Sequence, residues 1–411
     1  MRRLSIIAVV LVCAGGAFTD ANAMPMFARK LGVGCATCHT TIPKLNETGY
    51  KFRAAGWRMP DDIGKPEDKP FNLGDYNSAR IQARYDGNKT DIGPVSSHKS
   101  QFTFHEFTFY PMTGSFDKYY SSLVELSFLP EESAEVENAY VRINVGNDKR
   151  FFATRFGVFH PFEGYGASDR PVSISRPYFQ TNAANFNQTT FFTPWGFDQA
   201  GAEFGIDLQR TSLRATIFNG LVIREEEGAF RAFPSQGGAL AKSTSLPSAA
   251  TPDFQFFANH RLTDDGGGVS LFYYHGNLDL PVGTSGTLFQ NGYDRVAVYG
   301  SYPVVPKATL LGGYQWGRDN LAAGGTFSSR GAFGEVDVPV HQYATVGVRY
   351  DWFDPAKDKA DNEVRGVVGF VNVPLQNGFQ MIGEYQNKRT LRGINPDRTD
   401  NLFQVRFIFI L

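Results

Sequence analysis

Cysteine is scarce, with three in 411 residues. Cys13 falls in a segment expected to be removed, which leaves Cys35 and Cys38, so a disulfide-stapled secreted scaffold is excluded. Net charge is nearly absent: 40 basic and 41 acidic residues leave −1, which argues against a nucleic-acid partner. Long apolar runs are missing after residue 23, so no helix of the mature chain can cross a membrane. That absence leaves a β-barrel open, because a barrel hides its apolar face in alternation. No Walker loop, nucleophile elbow or hydrolase triad is present.

What is there begins with an export signal. Arg2 and Arg3 form a basic start, Leu4 to Phe18 an apolar run too short for a span, and Ala21-Asn22-Ala23 a cleavage site. Residues 1–23 therefore read as a signal peptide, and the mature chain starts near Met24 with 38 basic and 40 acidic residues.

Cys35-Ala36-Thr37-Cys38-His39 spells C-x-x-C-H, the attachment signal of a c-type haem. Two thiols spaced in this way add to the haem vinyl groups, and the adjacent imidazole becomes the proximal iron ligand. A zinc site would need more ligands nearby, and the next histidine is His98. A thioredoxin-type redox motif would need a strand–helix junction in an α/β fold. One covalent haem c on Cys35, Cys38 and His39 is the expectation, and attachment outside the cytoplasm agrees with export.

The rest of the chain alternates. Val141, Ile143 and Val145 alternate with Arg142 and Asn144; Phe403, Val405, Phe407 and Phe409 alternate with Gln404 and Arg406; Ile81, Ala83 and Tyr85 alternate with Arg80, Gln82 and Arg84. This is strand periodicity with a charged second face. A soluble sandwich would turn its apolar side to another sheet; a porin-like barrel turns it to lipid and its charges to a wet lumen. Roughly sixteen segments of this kind run from residue 76 to 411, most of about 9–12 residues, as tilted barrel strands require. The stretches between them alternate long (160–196, 220–252, 276–292, 318–331, 388–399) and short (147–150, 208–210, 263–266, 302–305, 339–341), the pattern of external loops and periplasmic turns, with the short third connection near 130–133 the exception. The fold expected is all-β: a transmembrane barrel of about 16 antiparallel strands over 73–411, behind a small α-helical cytochrome segment over 24–72 whose last residues, 61–72, form a linker.

Within that segment, Thr41 and Pro43 suit a helix start, Ile42, Leu45, Gly49, Phe52 and Trp57 share roughly one face, and Gly56 and Pro60 end it. About 45 residues cannot bury a core alone; haem, and the mouth or lumen of the barrel, would complete it. Met59, just past the helix, is the favoured distal ligand, and Met24, Met26, His98 and His105 are alternatives. His160, His260, His275 and His341 form no ligand spacing. Glu225-Glu226-Glu227 reads as a solvated acidic run of an external loop, able to gather cations; Glu131, Glu132, Glu135 and Glu137 bracket the start of the fourth strand near the barrel mouth, and Gly266-Gly267-Gly268 reads as a turn.

Signal peptide, one N-terminal C-x-x-C-H and a C-terminal barrel together resemble the fused monohaem cytochrome–porin family of outer-membrane iron oxidases. The stretch Phe27 to Asn46, then Phe52-Arg53-Ala54-Ala55-Gly56, is similar to that family's cytochrome segment. The resemblance implies an outer-membrane redox protein, acting as an Fe(II):cytochrome c oxidoreductase. Electrons from extracellular Fe(II), or another external donor, would pass by way of the haem to a periplasmic c-type cytochrome. Two alternatives stand beside it. Electrons would flow outward to an external acceptor, or the chain would be a solute porin with a haem-bearing plug, its anion preference set by Arg80, Arg84, Arg142 and Arg406.

Overall fold

The computed structural model describes residues 25–66, 72–130, 134–160, 171–181, 184–186, 189–191, 198–226, 229–234, 252–282, 287–305, 308–341, 343–374, 378–393 and 395–411. The expected signal peptide with Cys13, and Met24, Glu131, Glu132 and Glu227, lie outside the described residues.

Sixteen full-length strands close into one antiparallel barrel. They are β1 (Ser78–Ile92), β2 (Val95–Tyr110), β3 (Tyr120–Phe128), β4 (Glu135–Asn147), β5 (Arg150–Phe159), β6 (Gln199–Leu208), β7 (Thr211–Phe218) and β8 (Asp253–Arg261). There follow β9 (Gly268–Val282), β10 (Thr287–Val305), β11 (Ala308–Asn320), β12 (Thr326–His341), β13 (Ala344–Asp354), β14 (Val364–Pro374), β15 (Phe379–Thr390) and β16 (Arg398–Ile410). A two-residue piece, Gly114–Ser115, pairs beside β3. Closure is by β16 on β1, with Arg398 opposite Ile92 and Ile410 opposite Arg80, so no strand edge is left open.

The alternation resolves as the inverse of a soluble core. On β4, Val141 and Val145 are exposed while Arg142 and Asn144 are buried; on β6, Phe204 and Leu208 are exposed while Glu203 and Asp207 are buried. The contrast is sharp between β5 and β13: Phe152 is 63% exposed on the outside, and Arg349 0% exposed inside. Lipid is the solvent in which such an outer face is stable.

Charges inside are satisfied by cross-strand partners. Arg155 binds Glu203 at 2.7 Å, Arg295 binds Asp319 at 3.0 Å, Arg349 reaches Glu335 at 3.4 Å, and Arg214 pairs with Asp207, while Asp351 on its own strand also holds Arg349 at 2.8 Å. Aromatic side chains fill much of the remaining lumen: Phe218, Tyr274 and Tyr293 form a stacked series, with Tyr274 on Phe218 at 6.3 Å and on Tyr293 at 6.1 Å, and Phe159 leans on Phe218 at 5.2 Å. Asp253 accepts from the hydroxyls of Tyr274 (2.7 Å) and Tyr293 (3.0 Å).

Two stretches expected as loops are mostly strand instead: residues 276–292 are largely the ends of β9 and β10, and residues 318–331 those of β11 and β12. β1 and β2 also run longer than the expected 9–12 residues, pairing through 88–92 and 95–99. The cause is physical: the period-two apolar signal marks only the length of strand that faces lipid. Beyond it both faces meet water, so the backbone ladder continues without the pattern, as the exposed run Val95–Ser100 shows.

The barrel end carrying the termini Ser78 and Leu411 also carries the short turns at 148–149, 209–210 and 262–267. The N-terminal segment enters the lumen there. A second filler comes from the long connection 160–198: its residues 171–181 fold inward at mid-height and place Tyr178 and Phe179 in the lumen's aromatic cluster. A Cβ on Gly366 would meet the Tyr178 hydroxyl at 2.1 Å, so glycine there is what admits the loop.

Candidate functional site

The N-terminal segment comprises α1 (Pro25–Leu31), the C-x-x-C-H turn, a small ribbon of His39–Thr41 with Lys44–Leu45, and α2 (Glu47–Ala54). The helix starts at Glu47, not near Thr41 as the sequence suggested. Residues 39–45 spend their backbone bonds on one another, and Asn46 caps instead, its Oδ1 accepting from the Gly49 N–H at 2.9 Å. Residues 61–66 are likewise no linker. Pro60–Asp62 makes a helical turn, and Ile63 is buried with Leu45, Tyr50 and Ala54 against Phe151 and Ala153 of β5.

The motif itself is compact. The Thr37 N–H donates to the Gly34 carbonyl and that of Cys38 to the Cys35 carbonyl, both at 3.1 Å. Cys35 and Cys38 are half-buried free thiols. Burial raises both thiols above their ordinary pKa, and the neighbouring Cys35 raises Cys38 further. Burial lowers the His39 pKa, with the carbonyls of Pro43 and Lys44 opposing, so the imidazole is held neutral, the form that binds iron. Its Nδ1 is buried without a hydrogen-bond partner. Two free thiols and a neutral imidazole with an orphaned nitrogen make a donor set that fits a c-type haem, and an apolar cluster lies on the same segment.

Met59 lies in that cluster, packed with Leu31 and Trp57 against Met26, Phe27 and Phe52. Phe27 stacks on Trp57 at 5.1 Å and meets Phe52 edge-on at 5.1 Å. The other histidines stand apart. His98 is exposed on β2, His105 sits at a bulge opposite the Gln82–Ala83 step, and His160 and His341 end their strands; His260 meets Thr211 and His275 meets Asp294, both at 2.9 Å. Among the described residues no group of three or more histidine, cysteine or acidic side chains could hold a metal ion. Glu225 and Glu226 lie on a hairpin, Leu221–Glu226 with Ala229–Pro234, outside the barrel wall. Glu135 and Glu137 start β4, and the glycines at 266–268 make the turn into β9.

Sequence reasoning missed how firmly the wall grips this segment. At the start of α2, the Glu47 N–H donates to the Asp264 carbonyl at 2.9 Å and its carboxylate accepts from Arg261 Nε at 2.6 Å, with the Arg261 guanidinium over Tyr50. At the end of α2, the carbonyls of Arg53 and Ala54 accept from Arg142, and that of Ala54 also from Asn144 Nδ2 at 3.2 Å. Asn372 donates to the Ile42 carbonyl at 2.7 Å, Trp57 Nε1 to the Ser122 carbonyl at 3.1 Å, and Lys30 to the Tyr76 hydroxyl and the Ser115 carbonyl. Lys44 is buried facing Asp337, Asp265 and Glu335; burial pulls its pKa down to about 8, with those carboxylates opposing. The signal for such a grip is present only as buried Arg and Asn on strand faces, which pattern alone cannot pair.

The inward loop is held by opposite chemistry. Glu335 accepts from the Val172 N–H and the Ser173 hydroxyl, and Glu384 from the N–H groups of Ile174 (2.7 Å) and Ser175 (3.1 Å). Arg349 donates to the Ser175 carbonyl at 2.7 Å. Of the arginines read as a possible anion filter, three are engaged, Arg80 with Glu106 at 2.8 Å, Arg84 with Asp86 and Arg142 with α2, and the fourth, Arg406, lies on β16 opposite Arg84.

By sequence, no protein-family model and no curated protein matches the chain. By structure it is similar to the anion-selective porin from Comamonas acidovorans, with TM-score 0.57 and 10% identity over 81% of this chain and 98% of that one. The outer membrane channel DcaP of Acinetobacter baumannii gives 0.54 and 12% over 82% and 97%, and in-vitro folded OmpT of Vibrio cholerae 0.50 and 10% over 82% and 98%. The chain has the porin fold. The apolar outer face and the closed 16-stranded wall are those of an outer-membrane barrel.

Proposed function

We propose that this chain is an outer-membrane electron-transfer protein. Cys35 and Cys38 would hold one c-type haem covalently, with His39 as proximal iron ligand and Met59 as distal ligand. The chain would take electrons from extracellular Fe(II), or another external donor, and deliver them to a periplasmic c-type cytochrome. The observation that carries the reading is the C-x-x-C-H turn itself, folded with free thiols and a neutral imidazole on a segment lodged inside a membrane barrel. Bound haem supplies a one-electron couple whose potential follows its axial ligands and burial. The chain's own residues orient the motif and limit water around it. The geometry also serves the physics of the task, since a single redox centre seated within the wall has less than the roughly 30 Å hydrocarbon thickness left to bridge.

A second reading, a solute porin in which residues 25–66 act as a plug, is the one favoured by the likeness to porins and channels. Against it stand the anchored segment, the inward loop and the aromatic lumen. Visible spectra of the purified protein before and after Fe(II), with conductance in planar bilayers, separate the two. Sharp reduced haem bands on adding Fe(II), with little conductance, are expected. Absence of any haem band, with steady conductance, overturns the reading in favour of a porin, and reduction by dithionite alone overturns the inward direction of flow.

A further inference from the structure

We infer that Asn46 is the positioning residue of the C-x-x-C-H turn, holding it in the shape that receives the haem; the inference rests on the haem reading above. The side chain works in two directions at once. Its Oδ1 caps α2 through the Gly49 N–H at 2.9 Å. Its Nδ2 donates to the carbonyls of Ala36 (3.3 Å) and Thr37 (3.1 Å), the two residues between the cysteines. Its backbone N–H donates to the Cys38 carbonyl at 3.0 Å. Three consecutive carbonyls of the motif therefore converge on one residue. Helix α2 closes on the same point: a Cβ on Gly49 would lie 2.1 Å from the Cys38 carbonyl oxygen, so the helix backbone rests directly against the motif. The turn is thus braced before any thioether forms, with both sulfurs placed by a framework that does not involve them.

Only a primary amide can do both jobs. Aspartate caps a helix as well as asparagine does, but it has no donor for the two carbonyls and sets a carboxylate against them. Asn46→Asp therefore keeps the cap of α2 and removes the two side-chain bonds of the brace, while Asn46→Ala removes the cap as well; the backbone bond to the Cys38 carbonyl remains in both.

The test is made on the full-length protein in detergent. It reads haem per chain by intact mass, ferric electron paramagnetic resonance, and amide exchange of peptides over 35–39 and 47–54. In Asn46→Asp, exchange over 35–39 is expected to rise roughly tenfold, the effect of losing about two hydrogen bonds. Exchange over 47–54 is expected to stay put, haem per chain to fall several-fold, and the g-values of the remaining haem to move. Unchanged exchange, haem content and g-values in both variants would overturn the inference. A wild-type chain with no haem would sink the functional reading alone, since exchange over 35–39 would still report whether Asn46 holds the turn.

Discussion

The two fillers of the lumen are gripped in opposite senses. The N-terminal segment offers backbone carbonyls, those of Ile42, Arg53 and Ala54, and the wall answers with donors, Asn372, Arg142 and Asn144. The inward loop offers chiefly N–H groups, those of Val172, Ile174 and Ser175, and the wall answers with carboxylates, Glu335 and Glu384, with Arg349 taking the Ser175 carbonyl beside them. A helix end leaves only carbonyls unsatisfied, whereas a loop leaves amides and carbonyls, so each filler is matched by a different mix of wall charges. The difference teaches that the mixed charges of a porin-type lumen need not be a permeation filter; here many of them are fastenings.

The comparison can be broken most completely at the motif. Replacing Cys35 and Cys38 by serine is expected to abolish the covalent haem bands while the barrel keeps its resistance to heat in detergent, because nothing in the wall depends on the thiols; spectra and gel mobility check this. Next in size is Arg349→Met. It leaves the buried Glu335 and Asp351 without their cation and removes a fastening of the loop. A loss of about 3–5 kcal/mol is expected, seen as a lower urea midpoint and new protease cleavage within 171–181, with residues 25–66 still protected.

Arg142→Ala acts on the other filler. Removing charge-assisted bonds to the end of α2 is expected to cost about 1.5–3 kcal/mol. Protease cleavage within 47–66 and raised ion conductance would show it, with the loop untouched. The smallest effect is one of pH. Lys44 has its folded pKa lowered to about 8 by burial against an ordinary value of about 10.4. Between these values the undocked segment binds the proton and the docked one does not. Docking is therefore expected to strengthen as pH rises from about 8 to about 10.4 and to be flat below, as exchange of α2 amides would record. Lys44→Met should remove the slope.

How much of this was legible follows from which residues carry period and which carry partnership. Val141-Arg142-Ile143-Asn144 announces a strand and its two faces, because lipid and lumen impose alternation on every residue in them. C-x-x-C-H announces a donor set, because its spacing is the chemistry. The hairpin extensions of β1–β2 and β9–β10 were hidden, since main-chain pairing in water leaves no side-chain signature. Asn46 as cap was hidden by Thr41 and Pro43, equally good start signals that the ribbon of residues 39–45 consumes. That Arg142 faces inward could be read; that it ends on the carbonyl of Ala54 could not, because the pairing belongs to two segments nearly ninety residues apart.

Helix α2 is fixed at one end to β4 and at the other to β8 and its following turn, while its side lies on β5. In mechanical language it is a chord drawn under an arch of five neighbouring strands. At about 1.5 Å per residue the helix is a strut some 12 Å long, and a strut of fixed length fixes the curvature of the arc it subtends. The mouth of the barrel is therefore stiffened along the arc from β4 to β8, and the motif rides on a strut whose two ends belong to the wall itself.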